Sequence, residues 1–294
     1  FPNSEEVVET FKRFIALLPS DGELILWRED AHFEELALTA KFQVTSFGFT
    51  QEADWSLRNM EPLPSLGIRA DVFHKNCLQG QMVLQTPGRH NLLNALASLA
   101  VATSLGLKVS DSLAMLKGFG GVKRRFEIKG KVHDILVVDD YAHHPAAVSA
   151  TLQTARHHFP GRIWCVFQPH LFSRTRYLLN GFAQAFSEAD ILLLADIYAA
   201  RERDTGDISS RVLAEQAGKY HKDVRYIGEL SKIGQHLLEN ARSGDLIITM
   251  GAGDIWRVGE EFLAKKRETS KEQPAYSRMV EAPKIAEEEI SRIF

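Results

Sequence analysis

Short apolar runs alternate with amphipathic stretches throughout the second half of the chain. Runs of four or five apolar residues are typical of strands that are buried on both faces of a sheet. These runs cover residues 135–138, 163–167, 191–195, 246–250 and, more weakly, 224–227. The stretches with helical spacing cover residues 146–158, 177–187, 209–220 and 231–242. The alternation predicts βαβ units around a parallel sheet, with a final helix after Asp254.

The first half of the chain has a mixed pattern. Helical spacing covers residues 5–18, 31–40, 91–105 and 110–117, and Ser4 is a candidate N-cap. Residues 23–27 and 43–49 have strand patterns, while the stretches at 55–60, 67–74 and 77–85 predict antiparallel strands. Glycines at 118, 120 and 121 then interrupt the pattern. The predicted fold class is α/β, with domains at residues 1–120 and 121–266 and a polar tail at 267–294.

Composition narrows the class of protein. A chain of 294 residues is long enough for two domains that each have a core. With 45% hydrophobic and 25% charged residues it is typical of soluble globular proteins. A net charge of -3 argues against a nucleic-acid partner, and no apolar run reaches the length of a bilayer. The two cysteines form no disulfide framework, which fits a reducing cytoplasm.

Polar or glycine-rich residues follow four of the strands that are predicted in the second half. Carboxyl ends of parallel strands share one edge of a sheet, where α/β folds bind ligands, so we expect these residues to converge on a site. They are Asp139-Asp140-Tyr141-Ala142-His143-His144, then Gln168-Pro169-His170 with Arg174 and Arg176, then Asp196-Ile197-Tyr198 with Arg201 and Glu202, and finally Gly251-Ala252-Gly253-Asp254.

The histidines and aspartates of this set can also be explained without a role in binding or catalysis. Asp139 and Asp140 can cap the helix that follows them. His143 and His144 are better interpreted as polar site residues than as metal ligands, because adjacent histidines rarely bind the same metal. His170, taken alone, fits a surface position equally well.

The arginines and the glycine-rich turn have two interpretations each. Arg174 and Arg176 fall at the predicted start of a helix, where cations oppose the helix dipole. They indicate either a solvated helix start or an anionic partner. Gly251-Ala252-Gly253 is similar to half of a dinucleotide fingerprint, but it follows the last strand instead of the first. A nicotinamide oxidoreductase is therefore disfavoured.

Two further segments carry candidate chemistry. Gly88-Arg89-His90-Asn91-Leu92-Leu93-Asn94-Ala95 opens a helix, and its asparagines either cap that helix or offer amide groups to a nucleobase. Lys123-Arg124-Arg125-Phe126-Glu127 lies at the predicted domain boundary. It is either a solvated linker or a cation cluster that reaches phosphates in a cleft between domains, hinged at the glycines before it.

In this order the segments GRHNLLNA, GVKRRFE, DDYAHHP, FQPHLFSRT, DIYAARE and GDLIITMGAGDI resemble the Mur ligase family. The resemblance covers about residues 1–265. It implies that residues 1–120 are the rear part of a central ATPase-type α/β domain. Residues 121–266 are then a Rossmann-like C-terminal domain with a mostly parallel sheet. The pairing of YAHHP with QPHLFSRT is similar to the alanine-adding members of the family.

The resemblance also implies an activity and a set of site residues. The activity is ATP-dependent joining of L-alanine to UDP-N-acetylmuramate through an acyl phosphate, in cytoplasmic peptidoglycan synthesis. The residues implied for ATP are His90, Asn94, Arg125 and Asp140. Those implied for the substrates are Tyr141, His144, His170 and Arg174, of which the last three are candidate catalytic residues. No metal ligand is implied within this chain, and the oligomeric state is left open.

One family motif does not occur in these 294 residues. The phosphate-binding pattern G-x-x-x-x-G-K-[ST] is absent, so the P-loop, the main Mg²⁺ ligands and the UDP-binding domain are expected to precede Phe1. The chain is therefore expected to be a fragment that is inactive alone. Two alternatives remain: a ligase that recycles a tripeptide onto UDP-N-acetylmuramate, and a non-catalytic module that binds a nucleotide or an amino acid.

Overall fold

The computed structural model describes residues 4–63, 67–204 and 206–271. Most of the polar tail that the sequence predicts from residue 267 lies outside these residues. The chain divides into two compact units, the first ending at Gly120 and the second beginning at Gly121. None of the described helices is both long enough and apolar enough to cross a membrane.

The first unit is a five-stranded sheet with helices packed against it. Its strands are β1 (Glu23–Trp27), β2 (Gln43–Gly48), β3 (Trp55–Pro62), β4 (Ile68–His74) and β5 (Cys77–Leu84), in that spatial order. Its helices are α1 (Ser4–Ile15), α2 (Phe33–Ala37), α3 (Arg89–Ser104) and α4 (Val109–Lys117). The pairings β1–β2 and β2–β3 are parallel, and β3–β4 and β4–β5 are antiparallel. The antiparallel strands predicted between residues 55 and 85 are thus confirmed.

The second unit is a doubly wound α/β sheet. Its strands are β6 (Glu127–Val132), β7 (Ile135–Asp140), β8 (Ile163–Phe167), β9 (Ile191–Ala195), β10 (Val224–Gly228) and β11 (Leu246–Met250). Its helices are α5 (Pro145–His158), α6 (Phe172–Tyr177), α7 (Leu179–Gln184), α8 (Ser210–Ala217), α9 (Leu230–Asn240) and α10 (Trp256–Lys271). The strand order is β10-β9-β8-β11-β7-β6, and every pairing is parallel except β6–β7.

The central strands of this sheet are buried because both faces are covered by helices. In β8, Cys165 and Phe167 belong to the core formed with α5, α7 and α8, whereas Trp164 and Val166 belong to the core formed with α9 and α10. Successive side chains of the strand thus pack against helices on opposite faces of the sheet. Because both faces are apolar, the strand is a continuous apolar run. This arrangement confirms the α/β fold that the strand–helix alternation predicts.

Three elements differ from the sequence pattern. Strand β6 was not predicted, because its sequence EIKGKV carries lysines and a glycine in place of an apolar run. The helix expected over residues 177–187 is the shorter α7 (Leu179–Gln184), and a separate short helix, α6 (Phe172–Tyr177), precedes it. Helix α10 continues to Lys271, across the position at which the sequence predicts the polar tail to start.

Candidate functional site

The strands β7, β8, β9 and β11 bring their following residues to one edge of the second sheet. Hydrogen bonding continues past the strand ends, since the amide of Gln168 donates to the carbonyl of Met250 (2.9 Å) and that of Gly251 donates to the carbonyl of Asp140 (3.2 Å). The loops therefore leave the sheet side by side. The polar groups that the sequence places after these strands lie together at this edge.

His170 and Tyr198 form the centre of the edge. A parallel bridge joins them, with the amide of Tyr198 donating to the carbonyl of Pro169 (2.8 Å) and that of Leu171 donating to the carbonyl of Tyr198 (2.9 Å). Their rings are stacked, with centroids 5.6 Å apart and planes at 13°. The backbone bridge therefore fixes the position of both rings.

His143 extends this row of rings towards β7. Its ring centroid lies 6.2 Å from that of His170 and 4.9 Å from that of Tyr141. Its Nδ1 lies 2.8 Å from the carbonyl oxygen of Tyr141, which can only accept, so Nδ1 carries the proton. The neutral tautomer therefore has its lone pair on Nε2. We call His143, His170 and Tyr198 the ring row.

The two histidines of the ring row are held in the neutral form. Burial lowers the pKa of His143, and the nearby cation of Arg174 lowers it further. Burial also lowers the pKa of His170, again assisted by Arg174. Near neutral pH, both imidazoles are consequently able to accept a proton.

Arg174 is brought to the ring row by a sharp turn. Its Nη1 lies 3.4 Å from Nδ1 of His170, one turn earlier in the chain. Between them Leu171 has a φ of 70°, a left-handed conformation that is costly for a residue other than glycine. The backbone amide and hydroxyl of Thr175, which is fully buried, both donate to the carbonyl of Leu171 and hold this turn. The strained residue thus lies directly beside the ring row.

Asp140 has a different environment from the one expected of an exposed ligand residue. Its Oδ2 accepts the amide of Phe126 (2.8 Å) and its Oδ1 accepts the amide of Ala142 (2.7 Å), and its side chain is buried. The carboxylate therefore shapes the turns on both sides of it. Arg125, in contrast, is exposed, with its guanidinium carbon 5.6 Å from the centroid of the Tyr141 ring. The implied ATP contacts of Asp140 and Arg125 stay predictions.

His144 lies apart from the ring row. It is exposed and caps α5, with its Nδ1 accepting the amide of Ala146 at 3.4 Å. Sequence reasoning selected His144 over His143, yet the signal was available. A residue directly before a proline that starts a helix occupies the N-cap, so its neighbour is the one that remains to face the site. The catalytic role implied for His144 stays a prediction.

His90 and Asn94 belong to the first unit. Both are exposed and lie one turn apart at the start of α3, so they share a face of that helix. The helix follows Gly88, whose φ of 101° suits glycine, and Nδ2 of Asn91 donates to the carbonyl of Pro87 (2.7 Å). The loop at the helix start is thereby anchored by Asn91, while His90 and Asn94 face outwards.

A separate cavity of about 590 Å³ also lies in the first unit. It is lined by the amino ends of β1 and β2 and by the last turn of α3, and none of the predicted site residues lines it. Within the described residues, no group of three or more His, Cys, Asp or Glu side chains is placed to hold a metal ion.

Comparison with known proteins agrees with this architecture. The model of the Mur ligase middle domain matches residues 1–102, and that of the Mur ligase glutamate ligase domain matches residues 124–253. The UDP-N-acetylmuramate–L-alanine ligase of Caldanaerobacter subterraneus subsp. tengcongensis is 40% identical over 267 residues, which are 91% of this chain and 58% of that protein. The chain belongs to the Mur ligase family and spans somewhat more than half the length of this relative.

Solved structures show the same fold. The UDP-N-acetylmuramate–alanine ligase of Thermotoga maritima matches with a TM-score of 0.68 at 24% identity, covering 88% of this chain and 62% of that one. The MurF ligase of Thermotoga maritima, in complex with ADP, matches with a TM-score of 0.69 at 20% identity, covering 91% and 59%. At these identities the likeness concerns the arrangement of elements.

Proposed function

We propose that this chain forms the amino-acid-binding part, and one portion of the nucleotide-binding part, of an ATP-dependent ligase that joins L-alanine to UDP-N-acetylmuramate. The observation that carries the proposal is the ring row beside Arg174 at the carboxyl edge of the sheet. It is supported by the name of the relative that is 40% identical, and by the ADP held in the structure of a MurF ligase.

The chemistry of the amino acid suits these side chains. A guanidinium such as that of Arg174 can bind both oxygens of the alanine carboxylate through two parallel hydrogen bonds. The amine must lose a proton before it attacks the acyl-phosphate carbon. The lone pair on Nε2 of His143 can accept that proton. The neutral amine then forms the C–N bond, the C–O bond to phosphate breaks, and the phosphate leaves with the second amine proton. His170, held between Arg174 and Tyr198, then completes the wall on which the amino acid lies.

ATP is the substrate that supplies the phosphoryl group. His90 and Asn94 offer hydrogen-bonding groups on one exposed face of α3, and Arg125 offers an exposed cation. We assign these three to the nucleotide, and Tyr141 to the substrates through its place beside His143. We assign no step of the reaction to a metal ion held by the described residues. Mg²⁺, like the phosphate-binding loop, would depend on residues outside this chain.

The proposal is tested with the longest open reading frame that contains this sequence. The purified product should convert UDP-N-acetylmuramate, L-alanine and ATP into a UDP-N-acetylmuramoyl-alanine product, detected by mass spectrometry, with release of one phosphate for each amide bond. The 294-residue chain, assayed in parallel, should release no phosphate above background, because it has no P-loop sequence to hold the transferred group.

The amino acceptor that the longer protein uses decides between the candidate functions. Omitting L-alanine should abolish product formation by the longer protein. Conversion of a free tripeptide, without conversion of L-alanine, would contradict the proposal and indicate a recycling ligase. Binding of nucleotide or alanine without any conversion by the longer protein would indicate a module that only binds.

A further inference from the structure

Arg124 connects three segments at the carboxyl edge of the second sheet. Its Nε donates to Oδ2 of Asp139 at the end of β7 (2.9 Å). Its Nη2 and Nη1 donate to the carbonyls of Gly251 (2.6 Å) and Gly253 (3.1 Å), in the turn that follows β11. One planar guanidinium thus holds a carboxylate and two carbonyls at once, which the single ammonium of a lysine does not reproduce in the same geometry.

Asp139 gives this contact its orientation. Its side chain is 0% exposed, and Oδ1 accepts the hydroxyl of Thr249 (2.7 Å), its register partner on β11. A carboxylate without solvent must be paired and hydrogen-bonded to remain charged. Arg124 supplies the cation and Thr249 supplies a donor on the other side. The carboxylate has therefore little freedom to turn, and the guanidinium is aimed at the glycine turn.

The backbone of Arg124 is also held in an unusual conformation. Its φ is 60°, in the left-handed region that costs a residue other than glycine on the order of 1 kcal/mol or more. Its amide donates to the carboxylate of Glu127 (2.8 Å), and its carbonyl accepts the amide of Tyr141 (2.6 Å). Such a conformation persists only where its surroundings enforce it, and here both sides of the peptide are held.

The turn that Arg124 holds is the support of the ring row. Nε2 of Gln168 donates to Oδ1 of Asp254 (3.0 Å), at the end of the turn. Gly253 lies against the ring of Tyr198 so closely that a Cβ there would be 2.7 Å from Cγ. Tyr198 in turn stacks on His170. A displacement of the turn would therefore be transmitted to Tyr198 and His170 through direct contact.

We propose that Arg124 is a positioning residue that locks residues 251–254 against the ring row and thereby preorganises the amino-acid site. Arg124 itself does not touch the substrate. The effect on L-alanine rests on the proposed function, whereas the locking of the turn does not. Preorganisation lowers the entropic cost of binding and keeps the reacting groups aligned.

The first test uses the 294-residue chain. Arg124→Lys keeps the positive charge beside Asp139 but cannot hold both carbonyls in the same geometry. Amide hydrogen exchange is followed by NMR at Gly251, whose amide donates to Asp140. We expect exchange there to accelerate by about tenfold or more, the equivalent of one lost charge-assisted hydrogen bond. Thr249→Val, which removes only the hydroxyl that orients Asp139, should accelerate it in the same direction and less.

A matched control lies at the opposite edge of the same sheet. Arg156 donates to the carbonyls of Gly161 (2.8 Å) and Glu188 (3.1 Å) and to the carboxylate of Asp190 (2.5 Å). Arg156→Lys thus removes the same kind of contact away from the site. It should lower the melting temperature less than Arg124→Lys, because Asp190 is partly exposed and Asp139 is buried, and it should leave exchange at Gly251 unchanged.

The second test uses the longer protein once it shows ligase activity. Arg124→Lys should raise the KM for L-alanine about tenfold while the KM for ATP stays within about twofold of the parent. Arg156→Lys should move neither. Unchanged exchange at Gly251 in both Arg124→Lys and Thr249→Val overturns the proposal, as does an equal rise of the two KM values. A parent without activity counts against the proposed function alone, because exchange at Gly251 still decides whether Arg124 locks the turn.

Discussion

Replacing Gly253 with alanine tests the packing of the turn directly. An added Cβ would lie 2.7 Å from Cγ of Tyr198 and still closer to the side chain of Gln168. Neither neighbour can withdraw freely, because Tyr198 is held by its backbone bridge and Gln168, 5% exposed, is bonded to Asp254. Forcing a methyl group into a packed site of this kind costs about 1–3 kcal/mol.

The same substitution at Gly234 provides the control. Gly234 is buried in α9, and an added Cβ there would meet no atom within 4 Å. Alanine in a helix interior loses less chain entropy than glycine on folding, so Gly234→Ala should stabilise the chain by about 0.4–1 kcal/mol. The two glycines lie in the same unit, so the opposite signs would reflect the local space and backbone conformation at each position.

Both variants are measured by urea unfolding of the 294-residue chain, followed by tryptophan fluorescence. Trp164 is fully buried in the core of the second unit and reports its unfolding. Gly253→Ala should lower the midpoint and Gly234→Ala should raise it. The packing argument fails if Gly253→Ala unfolds within about 0.5 kcal/mol of the parent, or if Gly234→Ala is as destabilising as Gly253→Ala.

Three further outcomes follow from the structure. Asp245→Asn should destabilise the chain by about 1–3 kcal/mol. Burial alone would raise the pKa of Asp245, but hydrogen-bond donors including Arg162 hold that pKa below its ordinary value. The stabilisation from the Asp245 carboxylate is therefore present above about pH 4 and is lost as the pH falls through the lowered folded-state pKa. The His143 ring should titrate in NMR spectra with a midpoint below 6.5, because burial and then Arg174 lower its pKa, and a midpoint at or above 6.5 would contradict this environment. In the longer protein, Arg174→Lys should reduce catalytic efficiency with L-alanine roughly ten- to a hundredfold with little change for ATP, whereas Arg176→Lys, at an exposed ion pair, should behave like the parent. If the catalytic efficiency of Arg174→Lys with L-alanine stays within about threefold of the parent, Arg174 is not part of the amino-acid site.

The sequence by itself determined the layers of the second unit. A strand covered on both faces must be apolar throughout, so the buried strands β8, β9 and β11 are visible as continuous runs. The expected carboxyl edge followed from the same reasoning, because parallel strands end together. Strand β6 has no such apolar run, because an edge strand with one exposed face tolerates lysine and glycine.

Tertiary structure alone decided which side chains face one another at that edge. Pro145 lets the sequence assign His144 to the cap of α5, but only the folded edge shows that the ring of His143 lies beside that of His170. Likewise, the cluster of cations before β6 does not reveal that Arg124 faces inwards to Asp139 while Arg125 stays exposed. Such distinctions depend on dihedral angles of single residues and on partners more than a hundred positions away, which local patterns do not encode.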